Sequence, residues 1–318
     1  MTKLEIGVLL PTREVVIHGF ETSKVIDMAR SVEESGYHSV WVGDSLLAKP
    51  RLEPFSTLAA IAARTSTVKL GTAVYLPSLR NPIIISHALA TLDRIDGGRT
   101  IWGVGIGGGR YNRATFEKEF GSVGVTFESR VKRMEEIIEI VRKLQTEDVV
   151  NYQGKYFNLE GISMPLKPAQ KPYVPTWIAC SVVETGLKRV AKLADGWIAN
   201  IVNPHELAQS HTNIVEFAKA YGRNGSTIRP CNYLYLNIDS DKEKSHDEAT
   251  NFLAKYYNTT FTPEILERWG SFGDSEDVIS RLEAVYQAGA RTIIVHFASL
   301  DPMGKLKEFT RDVLPSFS

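Results

Sequence analysis

Apolar and polar positions along this chain switch repeatedly between two periods. Short, nearly unbroken apolar runs predict buried strands at residues 4–10, 38–42, 68–75, a run opening at Thr100, and then 175–180, 196–200, 233–238 and 292–297. Between them the apolar positions recur at helical spacing. The first helix covers 22–34, with Val25, Ile26, Ala29 and Val32 on one face and Gly36 past its end as a cap. Others follow at 55–64 after Pro54, from Pro82 to the Gly97-Gly98 pair, and at 185–193, 204–221, 275–288 and 305–313. The clearest is 128–144, where Val131, Met134, Ile137, Ile138, Val141 and Leu144 form one stripe that reads as core.

Two stretches break the alternation. Residues 149–152 and 156–159 alternate around Gln153-Gly154-Lys155, which predicts a hairpin outside the main sheet, before the fifth strand. A helical insertion at 242–269 follows the seventh strand, and another insertion follows the fourth. Strands separated by helices demand parallel neighbours, because the crossover needs a helix to return to the same edge. Eight such units without a Pro-, Ser- or Gly-rich linker predict a closed (β/α)8 TIM barrel, rather than an open doubly wound sheet, in a single domain spanning 1–318.

The fourth strand runs into glycines, Thr100-Ile101-Trp102-Gly103-Val104-Gly105-Ile106-Gly107-Gly108-Gly109. A bare backbone loop of this kind lets an anion approach main-chain N–H donors. Gly103 to Gly108 even spells the dinucleotide fingerprint, but its context is wrong: two of the glycines fall inside the strand, and the next clear helix opens only near Glu128. A phosphate-bearing ligand on another α/β fold, or close packing of helix on strand, remains.

Composition narrows the function. The 318 residues carry 37 basic and 37 acidic side chains, so nothing suggests a nucleic-acid partner. No apolar run approaches a membrane span, and no secretory pattern opens the chain. Cys180 and Cys231 are too few and too far apart for a disulfide framework or a zinc cluster; a reduced, cytoplasmic setting is the expectation.

In a parallel barrel the chemistry sits at the loops after the strands. No strand end carries a pair of histidines, so no metal is expected; none closes on a lysine for Schiff-base chemistry; no Gly-x-Ser-x-Gly elbow supplies a nucleophile. A site this short of acids and bases, with a glycine rim, suits a cofactor that carries the reaction.

Val40-Trp41-Val42-Gly43-Asp44, Leu70-Gly71-Thr72-Ala73-Val74, Arg80-Asn81-Pro82, Ala90-Thr91-Leu92-Asp93, Gly97-Gly98-Arg99, the glycine strand and Ala194-Asp195-Gly196-Trp197 occur in that order over nearly the whole chain. Together they resemble the bacterial-luciferase-like superfamily of flavin and deazaflavin oxidoreductases. The resemblance implies the eight-stranded barrel, a small-molecule substrate and a homodimer. It implies coenzyme F420 as cofactor, with FMN in a monooxygenase, or a barrel that binds such a ligand without turnover, as the alternatives.

It also implies where the cofactor sits. The ring would rest on a bulge of the third strand with a cis peptide at Ala73-Val74, and the phosphate would meet Gly107, Gly108 and Gly109 on one side and Ser181, Thr185 and Gly186 on the other. Helix capping is the competing role for Ser181 and Thr185. Asp44 would approach the ring, or else only satisfy loop N–H groups. Ser45 stands where some deazaflavin-dependent relatives have a catalytic histidine, so the acid or base lies elsewhere; His296, near the end of the last strand, is the candidate because histidine titrates near neutrality. Arg13, Glu14 and Arg110 are charged loop residues that could meet a polar substrate. The pocket walls are expected from the insertions near 111–127 and 240–272.

Overall fold

The computed structural model describes residues 4–108 and 112–317. Its strands in chain order are β1 (Glu5–Leu9), β2 (Ser39–Val42), β3 (Lys69–Thr72), β4 (Thr100–Val104), β5 (Val150–Gln153), β6 (Asn158–Ile162), β7 (Thr176–Cys180), β8 (Gly196–Asn200), β9 (Arg229–Ile238), β10 (Gly270–Gly273) and β11 (Thr292–Phe297). Eight close into a parallel barrel in the order β1-β2-β3-β4-β7-β8-β9-β11, with β11 pairing back onto β1. The antiparallel hairpin β5-β6 stands apart, and β10 extends the upper end of β9.

Strand residues alternate between lumen and helix layer. Leu9, Trp41, Ile101, Trp177, Ile198, Cys231 and Ile294 form one cluster inside the barrel. Trp102 and Trp197 join the larger cluster between sheet and helices. The two inward indoles need room, and glycines provide it: a Cβ on Gly71 would lie 2.1 Å from Trp41, and one on Gly196 2.6 Å from Trp177. Below this layer Glu5 accepts from Arg229 (2.6 Å), His38 (3.2 Å) and Thr292 (3.0 Å), forming a polar floor.

Single carboxylates fasten loops to this frame. Glu33 Oε1 accepts from the backbone N–H of Ser66, Thr67 and Val68 and from the Thr67 hydroxyl, which fixes the turn into β3. Glu136 receives the N–H groups of Lys155, Tyr156 and Phe157, which docks the hairpin on the helix Arg130–Thr146.

Three elements depart from the apolar pattern. Helix Arg113–Ser122 buries only Phe116, Glu119 and Phe120, too few for a stripe, and ends on Gly121-Ser122. Strand β9 begins at Arg229 rather than Tyr233. Pro230 does not break it, since β11 begins at Thr292, one step beyond the bond from Arg291 N–H to the Pro230 carbonyl. Strand β10 is four residues of Gly-Ser-Phe-Gly, with no pattern to detect.

Two outcomes test this packing. Gly71→Ala forces a methyl onto Trp41 and is expected to cost about 1–3 kcal/mol in urea unfolding, the range for overpacked cores; an unchanged midpoint contradicts the fit. Burial pushes the Glu33 carboxyl up, but the four hydrogen bonds outweigh it and hold it down to about 2. A depressed carboxyl stabilises the fold above its unfolded value and loses that effect as the pH falls through its folded one. The stability gap between wild type and Glu33→Gln should therefore be complete at pH 6 and shrink steadily below pH ~4.5.

Candidate functional site

The upper mouth of the barrel is shaped by a bulge. After Thr72 the chain leaves the ladder, the Ala73-Val74 peptide is cis, and Tyr75 rejoins β4 beside Val104. The Gly103 carbonyl receives both the Thr72 hydroxyl (2.7 Å) and the Tyr75 N–H (2.8 Å), while Gly105 N–H returns to the Tyr75 carbonyl (2.9 Å). Gly103 cannot carry a side chain here, since its Cβ would lie 1.9 Å from the Thr72 carbonyl oxygen; that of Gly105 would lie 2.6 Å from Val74. The first two glycines of the stretch thus serve the bulge. Ala73 and Val74 are left half-exposed, an apolar surface lying over the interior cluster.

β3 and β9 are the third and seventh of the eight barrel strands, so they face one another across the lumen. Tyr233 on β9 packs on the same interior cluster as Ala73 and Val74, from the opposite wall. Its hydroxyl lies 2.8 Å from His296 Nδ1, and His296 Nε2 lies 3.1 Å from Glu14 Oε1. Burial alone would push the Glu14 carboxyl up, but the hydrogen bond and charge of His296, with Arg51 beyond, bring it below its ordinary value. An ionised Glu14 accepts from His296 Nε2–H, which leaves Nδ1 to the Tyr233 hydroxyl. Burial keeps Tyr233 and Tyr235 well above the usual phenol range, hence protonated. Tyr235 lies tilted by 37° against the imidazole with centroids 4.6 Å apart, and Phe252 and Tyr256 meet it edge-on.

The loop after β2 is held from two sides. Asp44 takes both guanidinium nitrogens of Arg80 (2.6 and 3.0 Å) and the Leu76 N–H (2.9 Å), so its oxygens are committed to positioning the strand exit. The Ser45 hydroxyl donates to Glu119 Oε1 (2.7 Å) and accepts from Lys49 N–H. The same Glu119 oxygen receives the N–H groups of Leu46 and Leu47. Lys49 then places its ammonium 3.9 Å from the Tyr257 ring and 5.8 Å from that of Phe116, between the two insertions. Asn112 Nδ2 ties those insertions together at the Tyr257 carbonyl (2.8 Å).

Opposite the proton chain lie the groups that could hold a phosphate. Gly107 and Gly108 both have positive φ, 63° and 70°, and Arg130 Nε anchors the Gly107 carbonyl at 2.9 Å. A Cβ on Gly108 would meet Phe127 at 2.7 Å, so this glycine also serves the packing of the insertion. Gly109 and Arg110 lie outside the described residues. Helix Glu184–Leu193 opens at the end of β7 with Val183 at its N-cap and no side-chain cap, so Ser181 and Thr185 do not take the capping role. Gly186 lets this helix pack on Cys180, 3.0 Å from the position of its Cβ. Burial lifts the Cys180 thiol to about 12, and Cys231 is raised further inside the barrel, so neither is a thiolate at neutral pH.

His296 and Glu14 are thus brought together, Asp44 and Ser45 stand one loop away in structural bonds, and the bulge and the uncapped helix flank the lumen. Tyr233, Lys49, Arg51, Arg80 and Glu119 were not anticipated. The Tyr233-Leu234-Tyr235 alternation, with every second side chain entering the lumen, is the one signal in the sequence that points to Tyr233.

A family model described as luciferase-like monooxygenase matches residues 4–292. Among similar proteins, a 5,10-methylenetetrahydromethanopterin reductase of Archaeoglobus fulgidus is 28% identical over 90% of this chain and 78% of its own length. An F420-dependent glucose-6-phosphate dehydrogenase of Kineococcus radiotolerans is 28% identical over 93% of both chains. Among solved structures, an F420-dependent secondary alcohol dehydrogenase in complex with an F420-acetone adduct superposes with a TM-score of 0.82 over 99% of both chains, at 19% identity, which speaks to the fold.

Glu119→Ala removes the acceptor shared by Ser45, Leu46 and Leu47. Amide hydrogen exchange at Leu46, Leu47 and Lys49 is expected to accelerate at least ~10-fold, the effect of losing about 1.4 kcal/mol of local protection, while β1 and β11 stay protected. Unchanged exchange in this loop would show that Glu119 does not hold it.

Proposed function

The chain belongs to the luciferase-like monooxygenase family, and from that footing we propose that it is an F420-dependent oxidoreductase acting on a small organic substrate. The choice of F420 over FMN is supported by the names of the relatives. The residues present suit such a group. The half-exposed Ala73-Val74 surface offers a flat apolar seat for a ring, and the glycine rim at Gly107-Gly108 and the uncapped helix at Glu184 offer N–H donors to a phosphate.

The observation that carries this reading is the Glu14–His296–Tyr233 chain, which ends across the lumen from that seat. Bound there, the coenzyme would supply or accept a hydride at its ring. The chain's own residues manage the accompanying proton. In the direction of reduction, a doubly protonated His296 donates from Nδ1 to the Tyr233 oxygen. The phenol gives its proton to the substrate heteroatom as the hydride arrives at carbon, Nδ1 passes its proton to the phenolate, and the ring is left neutral with Nε2–H on Glu14. Glu14, held ionised, orients the imidazole and stabilises its charged form. Tyr235, Phe252, Tyr256 and Trp269 form an apolar cluster over this chain that keeps bulk water from it. Ser45 has no part in the transfer, since its hydroxyl is bonded to Glu119.

Purified protein titrated with F420 and with FMN by absorbance is expected to bind F420 and to change its absorbance on adding substrate. Retention of FMN with oxygen consumption, or binding of neither, overturns the reading. Tyr233→Phe should lower kcat by ~10²-fold, within the range of general acid–base groups, with F420 affinity unchanged. His296→Gln, acting through Tyr233, should lower it less and flatten the pH profile. Equal kcat in Tyr233→Phe would remove the phenol from the reaction.

A further inference from the structure

Beside the proton chain stands a group of cations that the proposed hydride transfer leaves unused. Arg13, on the loop after β1, is 8% exposed, and its Nε and Nη1 are buried with no acceptor among the described residues. Its guanidinium face is covered by the Tyr256 ring at 4.7 Å, which leaves the edge donors pointing elsewhere. Arg51 lies against Gly43, where a Cβ would fall 2.0 Å from Nη1, and its Nε donates to the Lys49 carbonyl at 3.1 Å. Lys49 rests on the Tyr257 ring. The three belong to the loops after β1 and β2; Glu14 follows Arg13 directly, and Lys49 also approaches Phe116, which packs against Gly108.

The carboxylates that act on these cations are Glu14, already bonded to His296, and Glu119, already bonded to the 45–47 loop. Asp44 is neutralised by Arg80. Tyr233, Tyr235, Tyr256 and Tyr257 are all raised by burial and stay neutral. Neither Glu14 nor Glu119 supplies the acceptors that Arg13 lacks, and buried guanidinium donors without acceptors are costly to keep.

We propose that the substrate of the oxidoreductase reading above carries a carboxylate or phosphate group, and that Arg13, Lys49 and Arg51 bind it beside Tyr233. The anion supplies the acceptors Arg13 lacks. It also bears on Lys49. Burial, Arg51 and Arg13 pull its ammonium down to about 7, with Glu119 alone opposing them, and the neutral Tyr257 phenol lies beneath it. A bound anion favours the charged form, so binding at pH 7.5 takes up a proton.

The test is calorimetry of the purified protein, free and saturated with F420, using benzoate and phenyl phosphate as probes and benzyl alcohol as the neutral control. Saturation with F420 fills the cofactor's own phosphate site, so anion binding that remains reports on the Arg13 group. At least one anionic probe is expected to bind at least tenfold more tightly than benzyl alcohol, with proton uptake at pH 7.5. Arg13→Gln is expected to lose at least tenfold in that affinity while binding F420 like wild type. Equal affinity for the neutral probe, or an Arg13→Gln protein that binds the anion like wild type, overturns the assignment. If Arg13→Gln does not fold, Lys49→Met reports on the same site, and unchanged affinity there overturns it as well. Failure to bind F420 counts against the oxidoreductase reading alone, because the anion comparison is made in the free protein too.

Discussion

Everything at the mouth of this barrel depends on how closely β4 approaches the bulge in β3. The Gly103 carbonyl accepts two hydrogen bonds from the bulged segment, and no side chain fits between them. That approach leaves the Ala73 and Val74 side chains over the interior cluster, with Ala73 N–H still bonded to the Val42 carbonyl of β2. It also sets the exit of Tyr75 and Leu76, onto which Arg80 and Asp44 fasten the loop after β2. One glycine therefore governs an apolar surface and, through it, the position of a loop on the next strand.

Around that frame, polar groups divide into those that are committed and those that are not. Asp44 and Glu119 Oε1 are spent on loop N–H groups and one arginine, so two carboxylates near the mouth hold loops, as Glu33 and Glu136 do elsewhere in the barrel. Glu14 differs. At the mouth it pairs with a histidine, and His296 passes the connection on to a phenol that faces the apolar seat. Among the cations at the mouth, Arg13 keeps buried donors without acceptors among the described residues. Catalytic capacity and substrate charge are thus read from the same accounting of hydrogen bonds.

The barrel was legible in the sequence because its strands are short apolar runs separated by helices with continuous stripes, such as 128–144. What was not legible has physical reasons. Helix Arg113–Ser122 docks by three side chains, so it has no stripe, yet one of them is Glu119. The glycine run looked like a phosphate loop, but Gly103 and Gly105 answer to contacts with β3 that are invisible along the chain. Asp44 and Ser45 lie at a strand end, as an active-site residue should; only their partners Arg80 and Glu119, 36 and 74 positions away, reveal that they hold loops. Tyr233 was hidden by the opposite effect, since an aromatic residue in a strand ordinarily reads as wall. His296 is singled out by type and place together, and the structure sets it between Glu14 and Tyr233.

The central claim is that a ring seated on Ala73-Val74 has its open face toward Tyr233. A crystal structure of the protein with F420 tests it most directly. The account requires the deazaflavin ring in van der Waals contact with Ala73 and Val74, its far face toward β9, and the Tyr233 hydroxyl on that far side still bonded to His296. A ring bound elsewhere in the barrel, or one whose open face looks away from Tyr233, contradicts it.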